Sequence, residues 1–326
     1  MSNSILKPPT EPLVPGDPGY LVPDDRGNTA IGVVVGSTTA VVFGLGGFFL
    51  VNDATGSMGT VLFILLPLAA GFATGLVTKG FKLAAACLWI GLLICTAVLL
   101  ISRMEGFVCV LMSSPLLAIC LSVGALLGAL FRNTVIDRFR NQQLGIFLTL
   151  GIIPFFLMGA NNAEKESRRT PRAETIADTL ITDAPRELVW NQLKTFDHIK
   201  GSKGLLMRIG LPVPVSCTMS GEGVGATRTC YFEQGHIAER VTEWNPPSSM
   251  KLEITEFDVP GRPWLSFKDA SYELATQEGK TVVTRKTTIV SRLSPVWYWR
   301  PLEKIGVETE HQYLFEEVKR KIEAAK

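Results

Sequence analysis

Over a long stretch, charge is what this sequence lacks. Residues 29–160 hold six basic side chains (Lys79, Lys82, Arg103, Arg132, Arg138, Arg140) and three acidic ones (Asp53, Glu105, Asp137). All nine lie between five apolar stretches and none lies within them. A charge at the bilayer centre costs at least about 2.5 kcal/mol, so the exclusion marks segments that sit in lipid. Soluble helices carry a polar stripe. These stretches carry none, which excludes a large soluble helical core. The absence of any charge in mid-span also removes the visible carrier for a proton relay or ion pathway. Basic residues are not in excess either. The chain has 32 Lys and Arg against 30 Asp and Glu, a net charge of +2, without the concentrated basic face that nucleic acid requires. Histidine is scarce: His198, His236 and His311, none in an H-x-E or HExxH spacing. The six cysteines match no zinc or iron–sulfur pattern, so neither a metal nor a cofactor is expected. Patterns such as GxSxG and the P-loop are missing as well. Gly221-Glu-Gly-Val-Gly225 lacks the Lys-Ser/Thr of a phosphate loop and reads as a turn.

What is present begins with the spans: 29–51, 59–77, 83–101, 107–131 and 144–160. A helix needs about 20 apolar residues to cross the hydrocarbon core. The first four meet this, and the fifth, with 17 residues and Pro154, is the weakest. Residues 1–28 are polar and Pro-rich and read as a disordered tail, so the first span is a retained anchor, not a cleaved signal. Lys and Arg in short loops set orientation. Their alternation places the N-terminus in the cytoplasm and, with five crossings, the C-terminal domain outside it. Lys165, Arg168, Arg169 and Arg172 pull the other way, because a fifth stretch that does not cross leaves the domain cytoplasmic. The expectation is an integral protein of the plasma membrane. Gly32/Gly36, Gly71/Gly75 and Gly124/Gly128 form GxxxG pairs that let helix backbones approach closely, within the bundle or in a homo-oligomer. Cys87, Cys95, Cys109 and Cys120 lie in the spans and read as small hydrophobes.

Past a polar linker at 161–171, the pattern changes to that of a soluble domain at 172–326. Thr175–Thr182 alternates as a strand. Asp183, Pro185 and Glu187 open a helix to Lys194, and His198–Ile209 is a shorter helical or irregular segment. Strands follow at Leu211–Ser220, Gly225–Gln234, His236–Trp244, Met250–Asp258, Ser266–Thr276 and Thr281–Arg292. Asn245-Pro-Pro, Pro260-Gly and Glu278-Gly punctuate them, and Pro295 opens a final helix to about Ala324. Cys217 and Cys230 lie at equal distances from a turn at Gly223–Val224, so a cross-strand disulfide is expected if the domain is outside the cytoplasm. Glu239, Glu243, Glu253 and Glu256 lie on strands, where alternation could turn a carboxylate inward. Met250, Leu252 and Ile254 share one sheet face and read as core. Trp297, Tyr298 and Trp299 suit a membrane interface, a pocket mouth or an anchor for the helix end.

Three segments carry a resemblance: Ile181-Thr-Asp-Ala-Pro-Arg-Glu-Leu-Val-Trp190, Gly221-Glu-Gly-Val-Gly-Ala-Thr-Arg228 and Glu239-Arg-Val-Thr-Glu-Trp-Asn-Pro-Pro247. With the element order, they make about Ala173–Ala324 resemble the helix-grip superfamily called SRPBCC or START-like, which includes polyketide cyclase/dehydrase-type and lipid-transfer domains. The apolar spans give an α-helical membrane bundle of about five helices; for the half that follows it the resemblance implies an α+β helix-grip domain, a seven-stranded antiparallel sheet around a long C-terminal helix. It also implies an apolar cavity between sheet and helix, with Trp299, Leu302, Gly306, Thr309 and Tyr313 as its helix face. The implied function is a membrane-anchored binding module for a lipid or other hydrophobic small molecule. The alternatives are a cyclase/dehydratase-type enzyme using an inward Glu, Tyr or His, and a structural or signalling membrane protein with a filled cavity.

Overall fold

The computed structural model describes residues 25–51, 59–101, 107–136, 145, 147–167, 170–259 and 264–324. Several expectations fall outside them: the Pro-rich tail before residue 25, loop charges Asp53, Arg103, Glu105, Asp137, Arg138 and Arg140, Leu144 at the start of the fifth stretch, and the Pro260–Gly261 turn.

The N-terminal half is a helical bundle. Helix α1 (Asp25–Val41) passes through a π turn (Val42–Gly46) into α2 (Gly47–Val51), and α3 (Leu66–Val77) follows a π turn at Val61–Leu65. Next come α4 (Phe81–Ile101), α5 (Phe107–Phe131) and α6 (Ile153–Ser167), the last preceded by a π turn at Leu148–Ile152. Among the described residues, three helices are long and apolar enough to cross a membrane: Gly32–Phe49, Phe81–Ile101 and Phe107–Val135. Val61–Val77 is apolar but shorter. The described residues therefore present three candidate crossings and not the five expected spans. The linker also differs from expectation, since α6 stays helical to Ser167.

The glycine pairs explain the tightest packing. A Cβ on Gly71 or Gly75 would lie 2.2 or 2.5 Å from the carbonyl oxygen of Leu121 or Ala125 on α5. One on Gly124 or Gly128 would lie 2.1 or 2.2 Å from that of Leu68 or Phe72 on α3. The two helices thus meet backbone to backbone, which only glycine permits. Gly32 and Gly36 face Leu83, Thr78 and Cys87. All three GxxxG pairs are occupied within this chain.

The C-terminal half runs β1 (Arg172–Thr182), α7 (Arg186–Lys194), α8 (Leu205–Arg208), β2 (Pro214–Met219), β3 (Thr227–Phe232), β4 (His236–Asn245), β5 (Ser249–Asp258), β6 (Leu265–Gln277), β7 (Lys280–Ser291) and α9 (Val296–Ala324). The seven strands form one sheet in the order β1-β7-β6-β5-β4-β3-β2, antiparallel at every pairing. Strands 2 to 7 are joined in sequence as a meander. The α7–α8 segment carries the chain from one sheet edge to the other. Alternation sets the faces: along β7, Val283, Arg285, Thr287 and Ile289 are buried in turn. Val307, His311, Leu314, Val318 and Ile322 put one stripe of α9 in the interior. A core of Leu180, Val189, Trp190, Phe196, Val241, Met250, Leu252, Tyr272 and Val318 fills the end near α7. Cys217 and Cys230 are register partners across β2 and β3 and form a disulfide.

The domain rests on one end of the bundle. Trp299 packs on Phe63 with ring centroids 4.7 Å apart, and Tyr298 donates its hydroxyl proton to the Met112 carbonyl of α5. Trp264, Leu293 and Trp299 share one apolar cluster with Phe48, Leu62, Phe63 and Leu116. The start of α1 lies at the other end, where Gly36 faces Thr78 and Cys87 and Arg132 donates to the Thr78 carbonyl. Glu164, in the last turns of α6, accepts from the amides of Thr60 (2.5 Å) and Val61 (2.9 Å) at the start of the second apolar segment. These amides have no partner within their own helix.

Candidate functional site

Between the sheet and α9 the structure holds a cavity of about 160 Å3, counted as space open to the centre of a water-sized sphere. One water needs only about 10–15 Å3 on that measure, so the domain's own side chains do not fill its interior. From the sheet, Cys217, Cys230, Phe232, Ile237, Ile254, Phe257, Phe267 and Ala270 form the apolar wall. The helix contributes Trp299, Leu302, Glu303, Gly306, Val307, Glu310 and Leu314. Val108, Cys109 and Met112 of α5 close the end that faces the helical bundle.

Of the helix residues expected at the cavity, Trp299, Leu302 and Gly306 line it. Thr309 and Tyr313 do not. Thr309 bonds the Ile305 carbonyl at 2.7 Å. Tyr313 is buried in the core beside Gly201, its hydroxyl 3.5 Å from the Ile199 carbonyl. The reason is helical phase. Continuing the inward stripe from Gly306 leads to Glu310 and Leu314, one residue beyond each expected position. Gly306 itself is not held by close backbone packing. A Cβ there would meet only Leu211 Cδ1, at 3.8 Å. Met250 and Leu252 are core as expected, whereas Ile254 reaches the cavity.

Polar groups converge in the cavity wall. Arg228 Nη1 lies 3.0 Å from Glu239 Oε2, and Arg285 Nη2 lies 2.9 Å from Glu310 Oε2. The Tyr272 ring lies 5.7 and 5.4 Å from the two guanidinium carbons, a cation–π arrangement. Arg228 is 2 % exposed and Arg285 7 %. Arg228 Nε, Arg285 Nε and Arg285 Nη1 have no hydrogen-bond partner among the described residues. Buried donors are nearly always paired, so these N–H groups are exceptions among the described residues. Burial pushes the Glu310 carboxyl up, and the adjacent Arg285 opposes the shift. Of the strand glutamates, Glu239 alone is buried; Glu243, Glu253 and Glu256 are exposed.

His311 lies behind this wall. Its Nδ1 is 2.6 Å from Asp178 Oδ2 and its Nε2 is 2.8 Å from Thr287 Oγ1. Burial, with some help from Arg285, holds the ring's pKa down to about 2. The neutral ring satisfies both contacts, Nδ1–H donating to the carboxylate and Nε2 accepting from the hydroxyl. The chain Asp178–His311–Thr287 thereby ties the middle of α9 to β1 and β7. Thr287 also borders the cavity. No group of three or more metal-ligating side chains occurs among the described residues.

Sequence reasoning missed Arg228, Arg285 and Glu310. A signal existed for the two arginines: Arg285 is in phase with the apolar Val283 and Ile289, and Arg228 is in phase with Cys230. Charges on the inward phase of an alternating strand are the informative exceptions.

No family model matches the sequence, and no curated protein matches it. Solved structures similar to the C-terminal half exist. The Aha1 dimer from Colwellia psychrerythraea is 18 % identical, with 44 % of this chain and 96 % of that one covered and a TM-score of 0.30. For the ZhuI aromatase/cyclase from Streptomyces sp. R1128 the values are 15 %, 47 %, 98 % and 0.33. For Ara h 8.0201 they are 10 %, 47 %, 99 % and 0.33. At these identities and scores the likeness says nothing about function. Seven antiparallel strands in the order β1-β7-β6-β5-β4-β3-β2, closed by one long C-terminal helix over a hollow, give the C-terminal half a helix-grip fold.

Proposed function

We propose that this protein is a membrane-anchored binding module whose helix-grip cavity takes up a lipid or other hydrophobic small molecule. One observation carries the reading: a hollow of about 160 Å3 with a largely apolar wall that also presents buried guanidinium N–H groups without a partner among the described residues. Apolar surface in such a hollow drives uptake at about 25 cal/mol per Å2, and the N–H groups orient the guest. The test is native mass spectrometry of the full chain released from its membranes, before and after delipidation. A small amphiphile that co-purifies, leaves on delipidation and rebinds supports the reading. Protein that carries nothing and binds no fatty acid, isoprenoid or polyketide-like probe defeats it.

The same reading places the chain in the plasma membrane with its N-terminus cytoplasmic and its domain outside. Supporting it are the alternation of basic loops, the Cys217–Cys230 disulfide and the position of the domain at the bundle end opposite the start of α1.

A second reading, an enzyme of the cyclase/dehydratase kind, is favoured by a specific observation. Glu239, Glu303 and Glu310 converge on one cavity, and burial shifts Glu310 toward the range of a general acid or base. Under that reading Glu310→Gln abolishes turnover of a bound substrate while the substrate still binds. Under the binding reading, the ligand leaves the wild-type cavity chemically unchanged.

A further inference from the structure

The helix-grip cavity has a neighbour. A second cavity, again about 160 Å3 on the same measure, lies inside the membrane bundle between α1, α3, α4 and α5. Cys109, Trp264, Leu293 and Trp299 border both hollows, so a single layer of side chains separates them. That layer is not ordinary core. Trp264 and Trp299 are 7 % and 4 % exposed, and neither indole N–H has a hydrogen-bond partner among the described residues. The two compartments differ in chemistry. The bundle cavity is lined by apolar side chains and by Cys95, Thr96 and Ser113, without a charged group. The helix-grip cavity holds the Arg228–Glu239 and Arg285–Glu310 pairs, whose remaining buried guanidinium N–H groups have no partner among the described residues. One end suits a hydrocarbon tail and the other an acceptor head, with two indole donors between them.

We propose that the two hollows form one bipartite site for a long-chain carboxylate, its head on Arg228 and Arg285 and its tail running past Trp264 and Trp299 into the bundle. This rests on the reading of the helix-grip cavity as a ligand site. The arrangement gives the bundle a task beyond anchoring. Drawing a lipid tail through water costs about fourfold in equilibrium constant per methylene exposed. A tail that moves from the bilayer interior into the bundle never meets that barrier, while its head reaches the arginines from the membrane side.

The test uses the full chain in phosphatidylcholine nanodiscs and two photoactivatable stearic acids. One carries its diazirine near the carboxyl, the other near the methyl end. Only label displaced by excess unlabelled stearate is counted, which removes labelling of lipid-facing surfaces. The expected result is displaceable carboxyl-end label on Phe267 or Ala270 and displaceable methyl-end label on Leu92 or Leu117. Thr96→Phe, which fills the bundle cavity, removes the methyl-end label and keeps the carboxyl-end label. Arg285→Met removes both. The wild-type label map stands by itself if a variant does not fold. Displaceable label confined to the sheet for both probes overturns the bipartite site and leaves the helix-grip reading standing. No displaceable label with either probe overturns both.

Discussion

Gly306 gives the sharpest test of whether the hollow is for a guest. A glycine in a helix interior costs about 1 kcal/mol relative to alanine. Here no close backbone contact accounts for it, because an added Cβ would touch only Leu211 Cδ1, at 3.8 Å. Gly306→Ala is therefore expected to stabilise the empty protein by about 1 kcal/mol, or roughly 2–4 °C in melting temperature. Gly306→Leu sends three further carbons into the cavity. If they displace three ligand carbons, binding weakens by about 2.4 kcal/mol, roughly fiftyfold. The assay pairs a thermal melt of the detergent-solubilised full chain with a titration of a water-soluble apolar fluorophore. The two substitutions should move stability and affinity in opposite directions. Wild-type affinity in the leucine variant, or a less stable alanine variant, would mean that the glycine serves packing and that the reasoning is wrong.

Three other outcomes follow from the structure. With its folded pKa held near 2 against 6.5 when free, His311 takes up a proton on unfolding but not in the native state. Its contribution is complete above about pH 6.5 and is lost as pH falls below it, at up to about 1.4 kcal/mol per pH unit. Denaturant melts between pH 7 and 5 should show that slope, and His311→Gln should flatten it. Gly124→Ala places a methyl 2.1 Å from the Leu68 carbonyl oxygen and should destabilise the bundle by about 1–3 kcal/mol. Gly46→Ala, with nothing within 4 Å, should leave the melting temperature of the detergent-solubilised protein unchanged or raised. Cys217 and Cys230 should resist maleimide in native membranes until a reductant is added. Reduction should lower domain stability by about 2–3 kcal/mol, as suits a bond closing a separation of 13 residues.

Much of the fold was legible because the elements announce themselves by period. Alternation placed β2 to β7 within a few residues, and Pro295 marked the start of α9. The equal spacing of Cys217 and Cys230 about the turn matches the β2–β3 register. The candidate site was less legible, for a geometric reason. A helix rotates 100° per residue, so an error of one position moves Thr309 and Tyr313 off the cavity and brings Glu310 and Leu314 onto it. The buried Arg–Glu pairs were hidden differently. Arg285 pairs with Glu310 across the gap between sheet and helix, and Arg228 with Glu239 across the β3–β4 register, so a single strand or helix read alone does not reveal the partner. The junction with the bundle was hidden most. Nothing in the spacing of Trp264 or Trp299 says that they will rest on Phe63 and border two hollows.

The Glu164 carboxylate has a mechanical consequence. It grips the first amides of the second apolar segment from the stem that leads into the domain, so the stem cannot swivel without stripping that helix of its terminal acceptor. A charge-assisted contact to exposed amide ends is among the stronger hydrogen bonds a chain can make. Any tilt of the C-terminal domain is therefore geared to a movement of the second apolar helix, whose side chains Leu66 and Ala70 face the hollow inside the bundle.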